Sequence, residues 1–342
     1  MRIGCIGWWD GPNVGDDLAV DLLERALGRH FPELAFTRIT PHHLLTTAPN
    51  TVTISELFNA GVSLADLYDA VLLGPGGLLP WLATDTLPDE WWADVPLFGV
   101  GLGWASSTLH EEAHRARAKH FLRRVSWLWA RDAVMAGIAI EAHVETELAP
   151  DIVYSLEPGG FATGHGSKRV VVCPNATQGA AAEQGFAWLL DWLVETGYHS
   201  QLLAASAVCG QLDALVCERL ARPGVQWEPR ILNWREAVEM IRGACAVYSA
   251  RKHPAVMAEL FGTPCWMLDV MGALRPLHDC AHGYGRVVGG LGDIGNPFTD
   301  WAVTPRALAR DVPRTWAGQL TENRERVAGA LDSLLQNLEG MG

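Results

Sequence analysis

Short apolar runs alternate with longer stretches of helical periodicity along most of this chain, the pattern of βα units feeding a parallel sheet. "RIGCIG" (2–7), "AFTRI" (35–39), "DAVLLG" (69–74), "PLFGVG" (96–101) and "SWLWA" (126–130) read as strands, with helical patterns near 16–30, 107–124 and 132–140 between some of them. A polar, glycine-rich stretch, "EPGGFATGHGSK" (157–168), then breaks the alternation as a domain linker does. Beyond it "RVVVCP" (169–174), "HSQLLA" (199–204), "VQWEP" (225–229), "CAVYS" (245–249) and "PCWMLD" (264–269) read as strands of a second sheet. Phe186, Leu189, Leu190 and Leu193 recur at i, i+3, i+4 and i+7, one face of an amphipathic helix. The tail from 305 to 338 is helical in pattern, broken by Pro313. The expected architecture is α/β: two Rossmann-like domains with parallel sheets, residues 1–160 and 161–342, and a cleft between them.

Composition narrows the classes of function. The 342 residues exceed one ordinary hydrophobic core, and 26 Lys+Arg against 39 Asp+Glu give a net charge of −13. Such a balance argues against a nucleic-acid or anionic-membrane binder, so any anion must meet a local cationic site. No run of about 18 apolar residues suggests a membrane span. Seven cysteines without a CxxC pair fit buried thiols in a reducing compartment. The expectation is a soluble cytoplasmic protein.

One motif misleads. "HEEAHRARAKH" (110–120) contains HExxH, with His120 at the spacing of a third zinc ligand. The zinc pattern needs a glycine to turn the chain back, and Arg117 stands there. On an unbroken helix at about 100° per residue His120 points roughly 120° away from His114, so no metal is expected.

Other candidates sit where strands end. "GWWDGPNVGDDL" (7–18) opens a helix with glycine-punctuated backbone, a place to hold an anion, yet it matches neither GxGxxG nor a Walker motif. Asp16 or Asp17 either caps the helix or serves as a catalytic base. "LLGPGGLL" (72–79), with Gly76 and Gly77, and "GVGLGWASS" (99–107) are turns that let a ligand approach the backbone. In "WARDAV" (129–134) Arg131 can grip a carboxylate or phosphate, or form a plain salt bridge, and Asp132 can cap the next helix. Trp8 and Trp9 are candidates to stack on an acceptor ring.

"SARKHPAVMAELFG" (249–262) is the most informative stretch. Pro254 suits a first helical turn and Gly262 the stop, which places His253 at a helix mouth whose free N–H groups favour an anion. Read as extended backbone, the segment points Arg251 and His253 to one side and Lys252 to the other.

The order of these motifs resembles the polysaccharide pyruvyl transferases: Asn13-x-Gly15-Asp16 after the first strand, the glycine turn after "DAVLL", G-x-G-x-G, Arg131-Asp132, the "APD" at 149–151, Arg251-x-His253 and Gly262-x-Pro264. The resemblance spans roughly 3–269. It departs at Pro75 within the glycine turn and at Trp104, where proline is common. It implies a GT-B-like fold and transfer of a pyruvyl group from phosphoenolpyruvate, without a further cofactor, to hydroxyls of a sugar or glycan-like acceptor. The product is commonly a cyclic ketal, with release of phosphate. It implies donor binding by Arg131, Arg251 and His253 in the second half, with the first half facing the acceptor. On this scheme His253 is the acid and Asp16 the base, with Asn13, Gly76, Gly77, Trp8 and Trp9 lining the substrates. Two other readings stay open at this stage: a nucleotide-sugar glycosyltransferase, and a non-catalytic anion-binding protein of the same fold.

Overall fold

The computed structural model of the chain describes residues 1–9, 11–41, 50–82, 89–104, 112–157, 167–208, 212–268, 279–283, 286–288, 305–310 and 312–341. Among these residues two wholly parallel sheets form. The first holds β1 (Arg2–Ile6), β2 (Ala35–Thr40), β3 (Thr51–Thr53), β4 (Ala70–Leu73), β5 (Leu97–Leu102), β6 (Val125–Ala130) and β7 (Glu145–Leu148), in the order β3-β2-β1-β4-β5-β6-β7. The second holds β8 (Arg169–Cys173), β9 (His199–Leu202), β10 (Val225–Trp227), β11 (Ala246–Ser249), β12 (Cys265–Leu268) and β13 (Arg286–Val288), in the order β10-β9-β8-β11-β12-β13. Both are doubly wound: strand order reverses between β1 and β4, and again between β8 and β11.

The central strands are apolar throughout because helices cover both faces of each sheet. Ala70–Leu73, Leu97–Leu102 and Cys265–Leu268 are buried at every residue. Short β3 and β13 lie at sheet edges and β7, "ETEL", is mostly polar, so none carried a readable strand pattern. The linker segment at 157–168 lies largely outside the described residues, as do His110 and Glu111 of the zinc-like pattern. His114 and His120 lie six residues apart on the unbroken helix Glu112–Leu122. None of the described helices is long and apolar enough to cross a membrane.

One apolar core runs through both halves. It joins Ile3 and Cys5 of β1, Val14 and Leu18 of the first helix (Val14–His30), Val171 and Cys173 of β8, and Met257 of the helix Lys252–Leu260. The helix Trp316–Glu339 closes it. Its Val327, Ala330, Leu334 and Leu338 are in that core, and it packs on the first helix, on β6 and on the short turn Ile152–Ser155. Pro313 stands just before it, after the short helix Pro305–Leu308, as the broken pattern required.

Polar contacts fix how the halves meet. Val14 N–H donates to Ala205 C=O and Ala207 N–H to Pro12 C=O, both at 2.9 Å, so the loop before the first helix pairs with the loop after β9. Trp234 indole N–H donates to Asp21 at 2.8 Å, and the Arg25 and Arg235 guanidinium carbons lie 5.6 and 4.4 Å from its ring centre. Because the core is continuous, Leu334→Ala should lower the stability of the whole chain by about 2–5 kcal/mol. Denaturant unfolding followed by circular dichroism and by tryptophan fluorescence should still show one coincident transition. Loss of the helix alone, with the sheets unfolding as before, would contradict the shared core.

Candidate active site

Both strand reversals open toward the same place. The loops after β1 and β4 and the loops after β8 and β11 leave the carboxyl ends of their strands, where open α/β sheets take ligands. Asn13 caps the first helix: its side-chain oxygen accepts from the N–H groups of Gly15 at 3.1 Å and Asp16 at 3.3 Å. Asn13 also donates through Nδ2 to Asp16 Oδ2 at 2.8 Å, while its own N–H donates to Asp17 Oδ2 at 3.0 Å. The cap is therefore Asn13, not Asp16 or Asp17. That leaves Asp16 Oδ1 to face His253 Nδ1 at 3.7 Å, across the boundary between the two halves.

This approach depends on Gly15. A Cβ placed there would lie 1.7 Å from His253 Nδ1, so the imidazole occupies the space a side chain would fill. The spacing Asn-x-Gly-Asp thus gives a cap, a vacancy for the ring and a carboxylate beside it. His253 is 4 % and Asp16 5 % exposed, so the pair is withdrawn from bulk water.

The other ring nitrogen, Nε2, lies 3.6 Å from Asp151 Oδ2. That same oxygen accepts a hydrogen bond from Arg131 Nη1 at 2.6 Å. Arg131 reaches it past Gly103, where a Cβ would come within 2.6 Å of Arg131 Nε. Asp132 caps the helix Ala133–Glu141, accepting from Met135 N–H at 2.7 Å and from Trp104 N–H at 3.0 Å. The sequence left open a ligand contact or a salt bridge for Arg131, and the salt bridge with Asp151 is what forms.

Arg251 corrects the extended reading of its segment. It is the N-cap, extended at φ −110°, but Lys252 and His253 are already helical, so successive side chains fan around the axis instead of alternating. His253 turns to Asp16 and Asp151. Arg251 turns to Asp213, donating through Nε at 2.9 Å and Nη2 at 2.6 Å to its two oxygens. Asp213 is fully buried at the start of the helix Asp213–Leu220 and also accepts from Ala176 N–H at 2.9 Å. Nothing in "QLDALV" (211–216) marked it, because its partner lies 38 residues on.

The remaining candidates divide. Gly76 and Gly77 form the turn after β4; Gly76 C=O accepts from Gly103 N–H at 3.0 Å, and a Cβ on Gly76 would lie 3.6 Å from Trp8 Cδ1. Trp8 is half-buried beside this turn. Trp9 is a core residue, 3 % exposed, folded over Gly7 with its indole N–H on Cys5 C=O at 3.0 Å, so its ring faces are taken by packing.

Burial and pairing set opposite tendencies on the carboxyls. Burial pushes Asp16 above the usual carboxylate range, against the pull of His253 and Arg131. Burial also pushes Asp151 up, but Arg131 and His253 overcome it and hold that carboxyl well below the range. Two buried acids a histidine's width apart therefore differ in their hold on a proton, the arrangement by which sites separate acid from base.

A family model described as polysaccharide pyruvyl transferase matches residues 13–270. The chain belongs to that family. It is a transferase of the polysaccharide-modifying kind. No curated protein sequence matches it. Among solved structures it resembles S. aureus MnaA in complex with UDP (TM-score 0.59, 11 % identity, 95 % of this chain and 90 % of that one). It also resembles the UDP-GlcNAc 2-epimerase of Neisseria meningitidis (0.56, 14 %, 98 % and 100 %) and Medicago truncatula UGT71G1 complexed with UDP-glucose (0.54, 10 %, 100 % and 98 %). These likenesses carry the fold: the paired doubly wound sheets are the expected GT-B-like arrangement.

Two outcomes test the geometry. Gly15→Ala should displace His253 and abolish activity while the chain stays folded; an active variant would mean that the ring position is immaterial. Burial pushes Asp17 up to about 7. Its protonated form is thus favoured in the folded chain, a stabilisation complete below about pH 4 and lost as the pH rises through about 7. Asp17→Asn should gain stability relative to the native chain between pH 4 and 8, read from urea midpoints, and a difference independent of pH would contradict the burial effect.

Proposed function

We propose that this transferase moves the pyruvyl group of phosphoenolpyruvate onto two hydroxyls of a sugar or glycan-like acceptor, forming a ketal and releasing phosphate. The observation that carries the reading is the buried Asp16–His253 pair at a helix mouth, beside Arg131 and within reach of the charge of Arg251, in a chain of this family. The donor brings a carboxylate and a phosphate. Arg131, Arg251 and the first N–H groups of the helix Lys252–Leu260 are the cationic groups suited to it. A guanidinium has five N–H donors, so the Asp151 contact through Nη1 leaves others on Arg131 for an anion.

The protons balance over a cycle. His253 gives a proton to the methylene carbon of the donor, which becomes a methyl group beside a cationic carbon. The first acceptor hydroxyl attacks that carbon and gives its proton to Asp16. Asp16 returns the proton to His253, 3.7 Å away, which restores both groups. The second hydroxyl attacks the same carbon as the C–O bond to phosphate breaks, and its proton leaves with the phosphate. Asn13 orients Asp16, and the turn at Gly76 and Gly77 with half-buried Trp8 lies on the side of the first sheet, where the acceptor is expected. This places the reaction in a water-exposed compartment such as the cytoplasm.

Phosphorus NMR should show phosphate released from phosphoenolpyruvate only when a glycoside with paired hydroxyls is present, with a pyruvyl ketal by mass spectrometry. Thermal stabilisation by UDP without any release would favour instead a nucleotide-sugar transferase, the reading to which the UDP-bound neighbours lend support. Full truncation of Arg251 would strand buried Asp213, so Arg251→Lys is the sharper variant. It should raise the KM for phosphoenolpyruvate by about 10-fold or more, the worth of a charge-assisted contact. His253→Gln should lower kcat by about 100-fold or more with less effect on KM. Lys252→Ala should do little. Equal, mild effects at all three positions would move the donor site elsewhere.

A further inference from the structure

Asp151 takes no part in the proton cycle, yet it touches two of the groups that do. Its Oδ1 accepts the Val153 N–H at 3.1 Å, fixing the carboxylate at the head of the turn Ile152–Ser155. Its Oδ2 meets Arg131 Nη1 at 2.6 Å and stands 3.6 Å from His253 Nε2. That nitrogen is buried and has no hydrogen-bond partner among the described residues. The carboxylate itself is fully buried, so substrate does not reach it.

Resting on the donor reading above, we propose that Asp151 is a positioning residue that holds Arg131 and His253 on either side of one oxygen atom. The cation that receives the donor and the ring that protonates it then keep a fixed separation. The demand is for two acceptor oxygens. One is used on Val153 N–H and the other on Arg131 and the His253 ring, all of which can present only N–H groups to it when the ring is protonated. An amide of the same shape has a single acceptor oxygen, so Asn here sets an N–H against an N–H at one end or the other. Asp132, the neighbouring buried acid, caps a helix and has no contact with the His253 ring, so it does not substitute.

Asp151→Asn should leave the KM for phosphoenolpyruvate within about threefold, since Arg131 keeps its charge. It should lower kcat at least about 10-fold, because misplacement of a reacting group by about an ångström costs turnover first. The 15N resonance of His253 Nε2, assigned by its loss in His253→Gln, should move in the same variant. A purely structural role would lower the melting temperature without this split between kcat and KM and without moving the resonance. A folded Asp151→Asn chain with native kcat, or with the Nε2 resonance unmoved, overturns the proposal. If the native chain turns over no phosphoenolpyruvate, the donor reading fails and the resonance alone decides the role of Asp151. Should Asp151→Asn not fold, Asp151→Glu, which displaces both oxygens by one methylene, is read in the same way.

Discussion

Two helix ends meet in the middle of this molecule with an imidazole between them, and everything at the site depends on the room made for that ring. The room is a missing side chain. Gly15 stands one turn from a cap that needs Asn13 and one residue from the carboxylate that faces the ring, so backbone, cap and acid are all fixed by one short loop. The ring comes from the other half of the chain, on a helix whose mouth is set by the end of β11. The packing of the two halves is therefore part of the chemistry, because neither half alone holds the ring between carboxylates.

Charge is the second constraint. Asp16, Asp132, Asp151 and Asp213 are all buried, and burying a carboxylate is costly unless it is paired or hydrogen-bonded. Each has its answer: Asn13 and His253 for Asp16, a helix start for Asp132, Arg131 for Asp151 and Arg251 for Asp213. An acidic chain thus carries its few useful cations inside, each already matched to an acid. Such a site is ordered before any ligand arrives, and an incoming anion meets donors that do not have to be gathered.

Sequence pattern was a good guide to what repeats and a poor one to what meets. The central strands were legible because apolar runs such as Ala70–Leu73 are buried on both faces, while β3, β7 and β13 were too short or too polar to register. Asn13, Asp16, Arg131 and His253 were singled out by their places at strand ends, and the fold brings these four together. What the sequence could not convey was pairing over distance. Asp213 and Asp151 hold Arg251 and Arg131 from far along the chain, and no local pattern announces such partners. The one local error, the shared face of Arg251 and His253, came from starting a helix a residue too late.

The helix Trp316–Glu339 has a temporal consequence. It completes a core shared with β1, the first strand to leave the ribosome, yet it is made after both sheets. During synthesis the first sheet must wait with part of its apolar surface uncovered, while the whole of the second is being translated. A chain cut short by premature termination would keep that surface exposed, open to chaperones and proteases, so the helix acts as a check that translation reached this far before the active site is sealed.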